Sequence, residues 1–168
     1  ANAGRDLVQS SVTYRMAANV EDLLLTGRGA INGAGNGLAN VLTGNAGANT
    51  LSGGAGNDRL SGGGGADLLV GGAGADIFVF ASASGAHRDR IQDFTRGQDR
   101  IQLSTFDADA TRGGLQDFRF IGARDFADAG DLRFANGQLS GDLDGDGRAD
   151  FVVAIARVAG LSNSDFIF

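Results

Sequence analysis

Cysteine, proline and tryptophan are all missing from the 168 residues of this chain. Without cysteine the chain can form no disulfide, no thiolate metal site and no cysteine nucleophile. It must gain stability elsewhere, and bound metal is one of the few substitutes. The longest apolar run is far too short to cross a bilayer, so we expect no membrane span. The polar start over 1–6 does not resemble a signal peptide, so we expect any export signal to lie elsewhere.

Lysine is absent too, and glutamate is almost absent. Glu21 is the single glutamate among the 20 acidic residues, and all 14 basic residues are arginine. Simple solubility would explain the net charge of −6 but not the preference for the shorter carboxylate. Aspartate combined with 29 glycines is typical of tight turns and of oxygen-ligand sites for hard cations. The acidic balance gives no reason to expect a nucleic-acid partner.

Catalytic motifs are missing as well. His87 is the only histidine, so no H-E-x-x-H zinc motif exists, and there is no G-x-S-x-G nucleophile elbow. Paired aspartates are frequent, but a metal-binding role explains most of them. We therefore expect no enzyme within this chain, and any catalytic domain would lie upstream in a longer protein.

A nonapeptide repeat dominates the middle of the chain. Three copies of the form G-G-x-G-x-D-x-U-x, where U is a large apolar residue, follow one another without a gap over 53–61, 62–70 and 71–79. Reading backward in nines gives two weaker copies, 44–52 and 35–43, which carry asparagine at the sixth position. A flexible glycine-rich linker would not place an apolar residue at the eighth position of every unit. The repeat therefore indicates a stacked architecture.

The repeat predicts an all-β fold, a right-handed parallel β-roll (β-helix) followed by a C-terminal antiparallel β capping region. The glycines permit tight turns, and the last three residues of each unit form a short strand with its central side chain pointing inward. Two nonapeptides then make one coil. We divide the chain into irregular coils that lead into the roll (1–34), the repeats themselves (35–80) and the cap (81–168), whose alternating stretches are interpreted as antiparallel strands.

The nonapeptides resemble the RTX, or haemolysin-type, calcium-binding repeat. The wider pattern, including 89–94, 97–104 and 165–168 after the repeats, resembles the C-terminal domain of serralysin-type metalloproteases and other type I-secreted proteins. The resemblance implies Ca²⁺ ions between stacked turns, each held by two aspartate side chains and several turn carbonyls. The first, third and fifth repeats would stack on one side of the roll, and the second and fourth on the other.

The resemblance places about three calcium sites on the repeats. Asp58 and Asp76 form the best supplied pair, whereas Asn40/Asp58 and Asn49/Asp67 have one charge fewer and are expected to bind more weakly. The implied ligands are the side chains and turn carbonyls of Asn40, Asn49, Gly53, Ala55, Asp58, Gly62, Gly64, Asp67, Gly71, Ala73 and Asp76.

A second acidic motif lies outside the repeats. Asp142, Asp144, Asp146 and Asp150 have the spacing of an EF-hand-like loop. Position twelve of that loop is Val153, so the usual bidentate glutamate is absent. The alternatives are a further calcium site and a plain Asp/Gly hairpin turn before the strand 151–155.

Two non-enzymatic functions remain open. The resemblance implies a module that folds on calcium after export through a type I ABC exporter of a Gram-negative bacterium, as the C-terminal appendage of a larger extracellular protein. In that case 165–168 belongs to an uncleaved secretion signal, and it can also form the last strand of a sheet.

The alternative function is that of a module for an anionic polysaccharide, similar to the R-modules of alginate epimerases. Five arginines could then line a groove: Arg59, Arg88, Arg90, Arg96 and Arg100. The interpretation favoured for them is ion pairing with Asp89, Asp93 and Asp99.

Overall fold

A computed structural model describes residues 4–82 and 88–168, so His87 lies outside the described residues. The strands up to residue 102 are β1 (Leu7–Ser10), β2 (Tyr14–Arg15), β3 (Asp22–Leu25), β4 (Gly33–Ala34), β5 (Val41–Thr43), β6 (Thr50–Ala55), β7 (Arg59–Ser61), β8 (Leu68–Ala73), β9 (Ile77–Val79), β10 (Asp89–Ile91) and β11 (Arg100–Gln102). The later strands are β12 (Arg119–Gly122), β13 (Asp131–Ala135), β14 (Gln138–Asp142), β15 (Phe151–Ile155) and β16 (Phe166–Ile167). A 3₁₀ turn at Asn163–Asp165 precedes β16. None of the described residues forms a helix long and apolar enough to span a membrane.

The strands from β1 to β11 alternate between two sheets. The odd-numbered strands lie in a seven-stranded sheet and the even-numbered strands in a nine-stranded sheet. Each strand runs parallel to the strand two before it. This alternation is what a nonapeptide of one turn and one strand produces, and it confirms the all-β parallel roll. Coils of the same kind lie on both sides of 35–80, because β1 to β4 precede the repeats and β10 and β11 follow them.

The eighth position of each repeat forms the core between the sheets. Leu42, Leu60 and Phe78 stand side by side on neighbouring strands of one sheet, and Leu51 and Leu69 do so on the other. All five side chains are 0% exposed. Full burial of such a side chain contributes about 1.5–3 kcal/mol, so this stack is a main source of cohesion between coils.

The cap extends both sheets at the C-terminal end of the roll. β13, β14 and β15 pair in antiparallel fashion, as expected, and β15 then runs parallel to β10. β12 and β16 differ from the expected antiparallel cap, since β12 runs parallel to β13 and β16 runs parallel to β11. Three phenylalanines of the cap, Phe106, Phe118 and Phe151, pack together with ring centroids 4.8 to 5.7 Å apart.

Glycine at the second repeat position allows the turns to stack closely. Gly72 has φ of 100°, a conformation that L side chains rarely adopt. A Cβ at this position would also collide with the carbonyl oxygen of Gly54 in the preceding coil. The turns can therefore lie in contact along each side of the roll, and this contact brings their sixth positions together.

Candidate metal centre

Two ladders of side chains run along the turns. The first ladder consists of Asn40, Asp58, Asp76 and Asp99, and the second of Asn49, Asp67 and Asp89. In both, the backbone N–H of one member donates to the Oδ1 atom of the member in the next coil, at 2.7 to 2.9 Å. The predicted stacking of alternate repeats is therefore present in the fold. We call each member a rung.

Four of the five aspartate rungs are buried and have one carboxylate oxygen without a hydrogen-bond partner; the fifth, Asp99, accepts the N–H of Thr95 with its Oδ2. Asp58, Asp67, Asp76 and Asp89 are each 1–2% exposed, and the Oδ2 atom of each has no hydrogen-bond partner within the described residues. Burying a carboxylate oxygen without a partner is costly, and buried charges in proteins are normally paired or bind a metal. These four oxygens are therefore candidate ligands for a cation.

Burial also changes the acidity of these carboxyls. Burial raises the pKa of Asp58 and of Asp67 to about 6, although the backbone N–H that each accepts acts in the opposite direction. Burial raises the pKa of Asp89 to about 7, with a smaller contribution from the charge of Asp67. The pKa values of Asp76 and Asp99 are raised for the same reasons. A divalent cation would reverse this trend by favouring the ionised form.

Glycine at the first repeat position lies against these orphan oxygens. A Cβ at Gly53 would overlap Oδ2 of Asp58 and would lie 2.6 Å from the carbonyl oxygen of Gly71 in the next coil. Equivalent overlaps occur at Gly62 with Asp67 and at Gly71 with Asp76. At Gly53 a carboxylate oxygen and a backbone carbonyl oxygen of the next coil thus converge, and both are of the kind that Ca²⁺ prefers as ligands.

The third repeat positions lie farther out. Ala55 and Ala73 are exposed and paired on β6 and β8, and Gly64 is half-exposed. The carbonyl oxygen of Ala73 accepts the N–H of Gly56 at 2.8 Å. The proposed role of these three carbonyls as ligands stays a prediction.

The asparagine rungs differ from these four aspartate rungs because every side-chain polar atom of each asparagine has a hydrogen-bond partner. The Nδ2 atom of Asn40 donates to the carbonyls of Val20 and Glu21 at 3.2 and 3.3 Å, and its Oδ1 accepts the N–H of Asn36 at 2.9 Å. Asn49 behaves in the same way, with Ile31 and Asn45 as its partners. The structure thus places Asn40 and Asn49 in the ladders, and each side-chain oxygen and nitrogen of both residues has a hydrogen-bond partner.

Sequence reasoning missed Asp89 and Asp99 as rungs. They follow Asp67 and Asp76 by 22 and 23 residues, whereas the earlier rungs are 18 apart. A usable signal existed, because Asp89-Arg90-Ile91 and Asp99-Arg100-Ile101 repeat the D-x-U ending of the nonapeptide.

The predicted ion pairing of arginines with Asp89 and Asp99 is wrong. Both aspartates are buried, and within the described ranges neither forms an ion pair with arginine. Asp93 instead accepts the N–H groups of Gly71 and Gly72, each at 2.9 Å.

The second acidic motif forms the loop of a hairpin between β14 and β15. Carboxylate oxygens of Asp142, Asp144 and Asp146 lie within 4.8 Å of one another. Asp142 is buried and accepts the N–H groups of Gly145 and Gly147, and Asp150 accepts the N–H of Leu143. Backbone donors thus account for the shape of the loop, as the hairpin interpretation requires. A calcium ion there stays a prediction.

The arginines considered for a polysaccharide groove lie on different faces. Arg59 and Arg100 belong to strands of the seven-stranded sheet, and Arg90 belongs to the other sheet. Arg59 donates to Gln102 at 2.6 Å, and Arg100 donates to the carbonyl of Ser164. Arg96 forms an ion pair with Asp165 at 3.5 Å. The fold therefore does not gather these arginines into one groove.

Comparison with protein families gives a match over most of the chain. The family model described as Peptidase M10 serralysin C terminal matches residues 30–168. The matched region contains both ladders, the cap and β16. A search of curated proteins finds no match.

Proposed function

The chain belongs to the serralysin C-terminal family, and we propose that its aspartate rungs bind Ca²⁺ and that it folds on calcium after type I export. The family is the non-catalytic C-terminal domain of M10 peptidases, and its RTX modules are calcium-binding parts of secreted proteins. In this proposal the chain is the C-terminal export and folding appendage of a larger extracellular protein.

The observation that carries the proposal is the set of four orphaned carboxylate oxygens. They lie in ladders that contain three pairs of neighbouring aspartates: Asp58/Asp76, Asp76/Asp99 and Asp67/Asp89. A bound Ca²⁺ supplies two positive charges at each pair, which would offset the repulsion between the carboxylates. It would also give a partner to the free oxygens, which belong to every member of these pairs except Asp99. We therefore assign one calcium position to each pair.

Calcium binding would be coupled to folding because the unfolded chain does not bring the paired aspartates together. The free energy of binding then adds to the free energy of folding. Extracellular calcium modules bind with dissociation constants of about 10⁻⁴–10⁻³ M. A module of that affinity stays unfolded in a cytosol with little free calcium, as export of an unfolded chain requires, and folds outside.

The C-terminal segment supports the export part of the proposal. Phe166 is buried in β16, which closes the seven-stranded sheet against β11, and Asp165 caps the preceding 3₁₀ turn through the N–H and hydroxyl of Ser162. A segment that an exporter binds in extended form can fold afterwards as this last strand, so the two roles of 165–168 are compatible.

The test is a calcium titration of the chain with Asp76→Asn and a matched control. Asp76 belongs to two of the three aspartate pairs, so its substitution should raise the calcium concentration at the folding midpoint at least tenfold. Asp117→Asn removes the same charge from an exposed position outside the ladders and should leave the midpoint unchanged. Circular dichroism measures folding, and isothermal titration calorimetry measures binding. A wild-type spectrum that is the same in excess chelator and in millimolar calcium would contradict the proposal.

A further inference from the structure

The ladders contain two kinds of link between coils. At each orphaned rung the aspartate has one oxygen bonded to the preceding coil and one oxygen free, whereas at Asn40 and Asn49 every polar atom is bonded. Within the repeats, the change from asparagine to aspartate coincides with this change of bonding. Beyond the repeats, Asp99 has both oxygens bonded, since its Oδ2 accepts the N–H of Thr95 at 2.7 Å. The sixth position thus behaves differently in the first two repeats than in the later ones.

The position of the unpartnered Oδ2 atom of Asp58 shows toward which neighbouring coil it faces. Oδ1 of Asp58 accepts the N–H of Asn40 in the preceding coil at 2.8 Å. Oδ2 of Asp58 and the carbonyl oxygen of Gly71 in the following coil both lie next to the space that a Cβ on Gly53 would fill. A cation that neutralises Asp58 would therefore lie between Asp58 and Asp76, and not between Asp58 and Asn40.

The corresponding oxygen of an asparagine rung already has a donor. Oδ1 of Asn40 occupies the place next to Gly35 that Oδ2 of Asp58 occupies next to Gly53, and it accepts the N–H of Asn36. The same arrangement recurs on the second ladder, where Oδ1 of Asn49 accepts the N–H of Asn45 at 2.8 Å. Neither rung leaves an oxygen that needs a cation.

Side-chain amide nitrogens of asparagines connect the first two repeats directly to the preceding turns. Nδ2 of Asn36 donates to the carbonyls of Ala17 and Val20, both at 2.7 Å. Nδ2 of Asn45 donates to the carbonyls of Thr26 and Gly29, both at 3.1 Å. Asn36 and Asn45 stand at the second repeat position, where the later repeats have glycine. Together with Asn40 and Asn49 they bond the carbonyls of the preceding turns with neutral donors.

We infer that Asn40 and Asn49 hold no calcium, because the backbone N–H of Asn36 or Asn45 already donates to the oxygen that would face the ion. The ions then begin only at the Asp58/Asp76 and Asp67/Asp89 links. This inference rests on the proposed function, which it deepens by stating where along the roll the metal is needed. The coils before residue 53 would then be joined by hydrogen bonds alone, and the coils after it by hydrogen bonds and ions together. The expected calcium sites Asn40/Asp58 and Asn49/Asp67 are then not sites.

The experiment counts bound calcium in saturating Ca²⁺ by equilibrium dialysis of the full chain. Wild type should bind one ion per aspartate pair. Asn40→Ala should lower the stability of the calcium-loaded chain but bind the same number of ions, since no ligand is lost. Asn40→Asp should bind one ion more than wild type, because it creates an aspartate pair with Asp58. Asn19→Asp adds the same charge at an exposed position in the preceding turn and should leave the count unchanged.

The outcomes separate this inference from the proposed function. Loss of one ion in Asn40→Ala, or an unchanged count with tighter binding in Asn40→Asp, would show that Asn40 is already a ligand and would overturn the inference while the proposed function stands. A wild-type chain that binds no calcium at all would overturn the proposed function and the inference with it.

Discussion

At the scale of single residues, the first glycine of the repeat is fixed by the carboxylate that lies against it. The Cα of Gly62 faces Asp67, and a Cβ there would overlap Oδ2 and would lie 2.6 Å from the carboxyl carbon. The restriction is steric and local, because the backbone of Gly62 has no positive φ. Any side chain at this position would therefore displace the rung itself.

Gly62→Ala should destabilise the calcium-loaded chain by about 1–3 kcal/mol, the usual cost of inserting a methyl group into a filled space, and should weaken calcium binding. Gly37→Ala is the matched control, since a Cβ at Gly37 meets nothing within 4 Å. Urea unfolding in saturating calcium measures the stability of both variants. Equal stability of the two variants would show that the Asp67 carboxylate is not confined as described.

The raised pKa values of the rungs predict how pH acts on the calcium-free chain. The folded-state pKa values of Asp58 and Asp67 are about 6, and that of Asp89 is about 7, against an ordinary value of 3.8. The folded state therefore holds these protons more tightly than the unfolded state, and stability present below about pH 4 is lost as the pH rises through 6 to 7. Acidification from pH 8 to pH 5 without calcium should increase β structure measured by circular dichroism. A decrease over this interval would contradict the burial of these carboxyls.

At the scale of elements, a buried carboxylate stabilises the loop of the hairpin between β14 and β15 by accepting backbone hydrogen bonds. Asp142 is 0% exposed and accepts two backbone N–H groups, from Gly145 and Gly147, at 2.7 and 2.9 Å. Asp144 in the same loop is exposed. The EF-hand-like spacing therefore has a structural reason that does not depend on a metal.

Asp142→Asn should destabilise the chain by about 1–3 kcal/mol, since its amide group would place a donor against a backbone donor in a buried position. Asp144→Asn is the control, and should change stability by less than about 0.5 kcal/mol because its side chain is exposed. Thermal unfolding in saturating calcium compares the two. A larger effect at Asp144 would indicate that the loop is held by an ion shared among its carboxylates.

At the scale of the whole molecule, the nonapeptide period made the central fold predictable. A glycine turn, a buried apolar residue at the eighth position and alternate stacking follow from the repeat, and Leu42, Leu60 and Phe78 stand together as that pattern requires. The period does not continue to Asp89 and Asp99, because they follow Asp67 and Asp76 by 22 and 23 residues instead of 18, so these rungs were missed. The bonding of Asn40 was also beyond prediction, since its partners at Val20 and Glu21 lie in a coil without the repeat.

The position of Asp76 between two aspartates makes the two sides of the roll unequal. In the proposed calcium-bound state, Asp76 on the first ladder belongs to two adjacent ion positions, while the second ladder has a single aspartate pair. Occupancy of one position on the first ladder fixes the ligand that its neighbour needs, so those two ions are thermodynamically linked and fill together. Folding would link all the proposed ions, and the two ions on the first ladder would have this additional coupling through Asp76, which the single ion on the second ladder lacks.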